Sequence, residues 1–134
     1  MAPHVDAGYS GTPLLKKLGI TDDSRVAVLN EPDGFNGFAG VDASHALRGR
    51  FDVLVFFTTS RAAFERRLPA LRKAMEPAAG LWIAWPKKAS GVATDMTEQT
   101  VRDVALPTGL VDNKVCAIDD TWSGLRVVIR KELR

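Results

Sequence analysis

The stretch Gly80-Leu81-Trp82-Ile83-Ala84-Trp85-Pro86-Lys87-Lys88-Ala89-Ser90-Gly91 decides the fold. Its first half is apolar at every position, so as a strand it needs cover on both faces. A central strand in a sheet layered with helices meets that need; a strand with one wet face does not. Pro86 then ends the ladder by withholding a backbone donor. In open α/β sheets, ligands bind just outside the carboxyl ends of the strands, which makes Lys87, Lys88 and Ser90 candidate ligand contacts.

Working outward, Asp52-Val53-Leu54-Val55-Phe56-Phe57-Thr58 reads as a second buried strand and Arg25 through Asn30 as a first, closed by the acidic turn Glu31-Pro32-Asp33-Gly34. Between the second strand and Gly80, the residues Phe64, Leu68, Leu71 and Met75 recur at helical spacing, with Arg61, Arg66, Arg67, Arg72 and Lys73 largely outside that stripe. Pro69 is expected to kink this helix or split it, and Glu76 through Gly80 to end it. A short helix before the first strand has Thr12 as cap, Pro13 at its start and Gly19 as stop; residues 1–11 are expected to be irregular. Asp95-Met96-Thr97-Glu98 has the form of a capping box for a last helix carrying Val101, Val104 and Ala105. Val111 through Ile118 and Leu125 through Arg130 then read as two strands joined by a turn that holds Trp122.

This order predicts one α/β domain over residues 1–134, three-layered and Rossmann-like. Its sheet is mostly parallel and five-stranded, with helices on both faces and one antiparallel strand from a C-terminal hairpin. The composition fits, with 46% apolar and 25% charged residues, close to soluble globular averages. No apolar run approaches the ~20 residues of a membrane span, and the opening MAPHVDAGYS lacks the pattern of a secretory leader. With a lone Cys116 unable to form an internal disulfide, a cytoplasmic location is expected.

Charge is unevenly spread. Residues 1–60 carry five Lys/Arg against seven Asp/Glu, while residues 61–134 carry thirteen against nine. This is weaker basic clustering than nucleic-acid domains show, so an anionic small molecule is the preferred partner and nucleic acid is not.

Chemistry-bearing motifs are sparse. His4, His45 and Cys116 have no metal-ligand spacing, so no metal is implied. The run Gly34-Phe35-Asn36-Gly37-Phe38-Ala39-Gly40 follows a strand as a phosphate loop would, yet matches no phosphate-binding spacing, and Glu31 and Asp33 would repel a phosphate. No cofactor is implied. Cys116, between Val115 and Ala117, reads as a small buried hydrophobe. What remains is a composite rim of Asn30, Thr58, Thr59, Ser60, Lys87, Lys88 and Ser90 at the ends of three strands. Thr59 and Ser60 there begin a helix whose free N–H groups attract anions. The first functional reading is therefore a binding module for an anionic ligand. A second is a protein-interaction domain that uses Trp122, Trp85 and the basic helix. A third is an enzyme using Lys87 or Lys88, for which the sequence offers no partner residue.

Four segments, GYSGTPLLKKLGI, TSRAAFERRLPALRKA, WPKKASG and DNKVCAIDDTWSGLRVV, resemble a family of uncharacterised bacterial proteins known only as a domain of unknown function. The resemblance covers nearly the whole chain, is weakest over residues 31–50, and implies no activity. At the level of fold the chain is also similar to Rossmann-like S-adenosylmethionine methyltransferases. That similarity implies that the last strand lies between Leu81–Trp85 and Val111–Ile118. Those enzymes follow their first strand with a Gly-rich loop and a second strand whose acidic end holds the cofactor ribose. Residues 31–51 leave too little chain for that half, and Asp42 is a poor substitute for the acidic residue, so the resemblance implies a degenerate relative rather than a methyl-transferring enzyme.

Overall fold

The structure, a computed structural model, describes residues 13–134; the expectations for residues 1–11, for His4 and for Thr12 lie outside the described residues. In chain order the elements are α1 (Leu14–Leu18), β1 (Val26–Leu29), β2 (Ala43–Ser44), β3 (Phe51–Phe57), α2 (Arg61–Lys73), β4 (Met75–Pro86), α3 (Glu98–Ala105), β5 (Leu110–Ala117) and β6 (Trp122–Ile129). Among the described residues, no helix is long and apolar enough to cross a membrane.

The strands form one sheet in the order β2-β1-β3-β4-β6-β5. Strands β1 to β4 are parallel, and β6 inserts antiparallel between β4 and β5, with Leu81 opposite Val127 and Trp85 opposite Ser123. The hairpin return therefore supplies the single antiparallel strand, in the place that the methyltransferase-like order implies. The sheet has six strands rather than five because Ala43 and Ser44, in a segment where no strand was expected, pair with Val26 and Ala27. So short a strand carries too little periodicity to stand out in sequence.

Two further boundaries differ from expectation. Strand β4 starts at Met75, which pairs with Phe51; pairing then lapses and resumes at Val53 opposite Gly80. Pro77, which has no N–H for the ladder, lies in the bulged interval. Helix α2 runs unbroken past Pro69. Pro69 lies on the exposed side of the helix, as does Glu65, whose carbonyl loses its helical donor there.

One face of the sheet is covered by α2 and α3, whose Phe64, Leu68, Leu71, Val101 and Ala105 pack on Leu54, Phe56, Leu81, Ile83 and Trp85. The other face presents Val28, Val55, Phe57, Trp82 and Ala84 to Leu18, Ile20 and Phe38. Its cover is thus the five-residue helix α1 plus the loop after β1, less helical than expected. Leu18 is the last residue of α1, and Gly19, at φ 79°, turns the chain away. Trp82 is fully buried, and its indole Nε1 donates to the Leu18 carbonyl at 3.1 Å, which ties α1 to the central strand. Every residue of the Leu81–Trp85 run is buried, at roughly 1.5–3 kcal/mol of apolar transfer for each large side chain.

A cleft at the strand ends

Because β1, β3 and β4 are parallel neighbours, their carboxyl ends share one edge: Leu29 lies opposite Phe56, and Phe57 opposite Ala84. A cleft of about 330 Å³ opens there, lined among others by Asn30, Pro32, Phe57, Thr59 and Trp122.

Each wall has a local cause. Asn30 follows β1 at φ 59°, the left-handed region that asparagine tolerates better than most residues. Its side chain is exposed, and its amide has no partner among the described residues. On β3, Phe57 is the last residue of the strand and is buried on the face opposite α2. Its ring is met edge-on by Trp122, at 5.2 Å between centroids and 85° between planes. Beyond it, Thr58 Oγ1 accepts from Ser60 N and donates to Ser60 O, both at 3.1 Å, which shapes the entry into α2.

The start of α2 is already occupied. Ser60 Oγ accepts from Ala63 N at 3.1 Å, and the Asp95 carboxylate accepts from Arg61 N at 2.8 Å. Asp95 was expected to cap α3; instead Thr97 does so, accepting from Thr100 N, because the loop before α3 folds back over α2. Thr94 Oγ1 fastens that loop by donating to the Thr59 carbonyl at 2.7 Å. The chain's own carboxylate therefore sits where an anion was expected.

The rim residues divide into two groups. Asn30, Thr58, Thr59 and Ser60 line the cleft, together with Trp122, whereas Lys87, Lys88 and Ser90 do not. The latter form a short 3₁₀ turn after Pro86, in which Ser90 Oγ donates to the Lys87 carbonyl at 2.6 Å and Gly91 closes the turn at φ 77°. Lys87 N is bonded to the Thr121 carbonyl, and the Lys88 side chain is exposed. Trp85, expected at an interaction surface, is 7% exposed in the α2 and α3 core. A central strand between two layers leaves neither face free, and that removes Trp85 from any contact surface. Trp122 is half-buried and begins β6 rather than sitting in the turn.

Pro32, Phe57 and Ala63 line the cleft without having been expected to. The closing of β1 at Glu31-Pro32 was the available signal for Pro32, but a terminal strand phenylalanine and a helical alanine carry none.

The loop after β1 spends its backbone on itself: Phe35 N, Ala39 N and Val41 N bond to Pro32 O, Asn36 O and Phe38 O in successive turns. Phe35 packs on Phe57 at 5.2 Å and on Phe38 at 5.4 Å. Aromatic side chains thus fill the space beside β1 and β3. His45 ends the segment with Nδ1 2.9 Å from the Val28 carbonyl, and among the described residues no cluster of three metal-ligating side chains occurs.

Cys116 is half-buried on β5; burial pushes its thiol pKa up, against the opposing pull of Lys17 and Lys114. Such a thiol is a poor nucleophile at neutral pH.

No protein-family model matches the sequence, and no curated protein matches it. Solved structures do match in fold. The B. subtilis m1A22 tRNA methyltransferase TrmK aligns with a TM-score of 0.53 at 9% identity, over 88% of this chain and 65% of that one. DhpI in complex with SAH aligns at 0.52 and 13% identity, over 84% and 70%. The magnesium protoporphyrin IX methyltransferase of Synechocystis with bound SAH aligns at 0.51 and 12%, over 65% and 51%. The chain spans between 40% and 65% of the length of the first four structures it matches. At these identities the likeness is one of fold, and the chain has a Rossmann-like α/β fold shared with S-adenosylmethionine-dependent methyltransferases.

Proposed function

We propose that this chain is a binding module on the methyltransferase fold that holds a small, uncharged, planar ligand in the cleft between Asn30 and Trp122, without transferring a methyl group. The observation that carries this reading is the lining of the cleft: aromatic and neutral polar side chains, with no charged side chain among them. Trp122, Phe57 and Pro32 supply apolar walls for a ring, while the Asn30 amide and the Thr59 hydroxyl supply donors and acceptors at its edge. With Asp95 on the α2 start, a ligand anion would meet a carboxylate there, so the anionic ligand expected from sequence gives way to a neutral one. Phe35 and Phe38, packed beside Phe57, take space that a Gly-rich loop would leave open. That packing supports the reading of a degenerate relative rather than an active methyltransferase.

Amide chemical-shift mapping with adenosine, an uncharged planar probe with hydrogen-bonding edges, tests this. The expected result is perturbation of Asn30, Thr59 and the Trp122 indole, abolished in Trp122→Ala and weakened in Asn30→Ala. No perturbation of these residues at about 10 mM adenosine, a concentration that would reveal binding of even a few kcal/mol, overturns the reading. So does perturbation of them by inorganic pyrophosphate instead of adenosine.

A further inference from the structure

The opposite edge of the sheet carries a second concavity, of about 360 Å³, where β4 begins and α2 ends. Its charged lining is entirely cationic: Arg72 and Lys73 from the last turn of α2, Arg50 from the residue before β3, and Arg134 from beyond β6. Met75 and Ile129 give it an apolar wall.

A bland account covers only part of this. Cations in the last turn of a helix are favoured by its dipole, which explains Arg72 and Lys73. Arg50 lies before β3 at no helix end, and Arg134 follows a single 3₁₀ turn, Lys131–Leu133, whose dipole is small. Arg50 has one carboxylate near it, Glu76 at 3.8 Å, with both side chains about half exposed, so the pair is weak and screened. Arg134 is fixed by donating Nε to the Ile129 carbonyl at 2.8 Å, which leaves the rest of its guanidinium available. Arg72 Nε is buried and has no hydrogen-bond partner. That N–H is closed to a ligand in the concavity, but the four converging cations repel one another, and one anion bound among their outer N–H groups reverses that cost.

We infer that this basic concavity is a binding site for a small organic phosphate, with its charged head on Arg50, Arg72 and Lys73 and its apolar body against Met75 and Ile129. Guanidinium groups match phosphate oxygens in a bidentate fork, which favours this class over a simple halide. The volume suits a single small molecule and not an extended polymer. This site is separate from the cleft at the strand ends and does not depend on what the cleft binds.

The test uses the full chain and phenyl phosphate as probe, followed by amide shifts at several NaCl concentrations. Expected are shifts at Lys73, Met75 and Arg50 that weaken as salt rises. Affinity should fall roughly tenfold in Arg72→Met, the loss of one charge-assisted bidentate contact. Because Arg72 is partly buried, Arg50→Gln on an exposed side chain serves as the second variant; it should lower affinity severalfold with an unchanged far-ultraviolet spectrum. Lys87→Ala with Lys88→Ala should leave binding unaltered. The proposal is overturned by an absence of shifts at these residues, by equal affinity in Arg50→Gln and the parent, or by a single-stranded oligonucleotide that displaces the probe and binds more tightly.

Discussion

The Asp95 carboxylate accepts a hydrogen bond from the backbone N–H of Arg61 at 2.8 Å, across 34 residues of chain. One side chain thereby joins the loop after β4 to the start of α2, beside Thr59 and Ser60 of the cleft. Anions are favoured at helix starts because the first N–H groups lack helical partners, and here a carboxylate from the chain supplies the charge.

Replacing that carboxylate should expose what it covers. Asp95→Ala is expected to destabilise the fold by about 0.5–2 kcal/mol, the usual range for a lost helix cap, and Asp95→Asn by less. Urea unfolding measures both. Sulfate should then raise the melting temperature of Asp95→Ala more than that of the parent, since the freed N–H groups accept an external anion. Equal sulfate responses would show that the carboxylate does not govern the charge preference of this helix start.

Trp82 joins the central strand to α1 by its indole N–H. Trp82→Phe keeps a buried ring but strands the Leu18 carbonyl, an unsatisfied acceptor worth about 1–3 kcal/mol if it stays buried. Amide exchange should quicken first at Gly19 and Ile20, whose N–H groups close the end of α1 on Lys16 and Leu15, while β3 amides keep their protection. Uniform loss of protection would instead mean that α1 and the sheet open together.

Burial raises the Cys116 pKa, so the thiolate is disfavoured in the folded chain. Alkylation by iodoacetamide should therefore be slower than for a free cysteine peptide at pH 8. The rate should climb to its plateau at a higher pH than in the peptide, since only the thiolate reacts. Lys114→Ala, which removes one of the charges pulling the other way, should move that profile higher still. A profile matching the peptide's would show that the thiol is not held protonated by its surroundings.

How much could be read beforehand differs between elements. The unbroken apolar character of Leu81–Trp85 and Val53–Phe57 dictates strands buried on both faces, and only a parallel, helix-covered sheet offers that. The repeat Phe64, Leu68, Leu71 marks α2 in the same way, since a 3.6-residue period has no other use in a soluble domain. Residues 31–50 are the counterexample. Two residues of strand and a set of turns leave no period, and their place is fixed by Phe35 and Phe38 finding Phe57, a contact across about twenty residues of chain that no local rule encodes.

The candidate site shows the same division. Asn30, Thr58, Thr59 and Ser60 were legible because strand order alone brings the ends of β1, β3 and β4 to one edge. What the cleft can hold was not legible, for its character depends on which side chains fold away from it. Lys87 and Lys88 leave in a 3₁₀ turn, Asp95 returns to α2, and Trp122 swings in against Phe57. By itself the sequence determined the central strands and the helices over one face of the sheet, because burial patterns are periodic and local. Only the tertiary structure decided the charge of each concavity, because electrostatic environment is a sum over groups that the fold, not the chain order, makes neighbours.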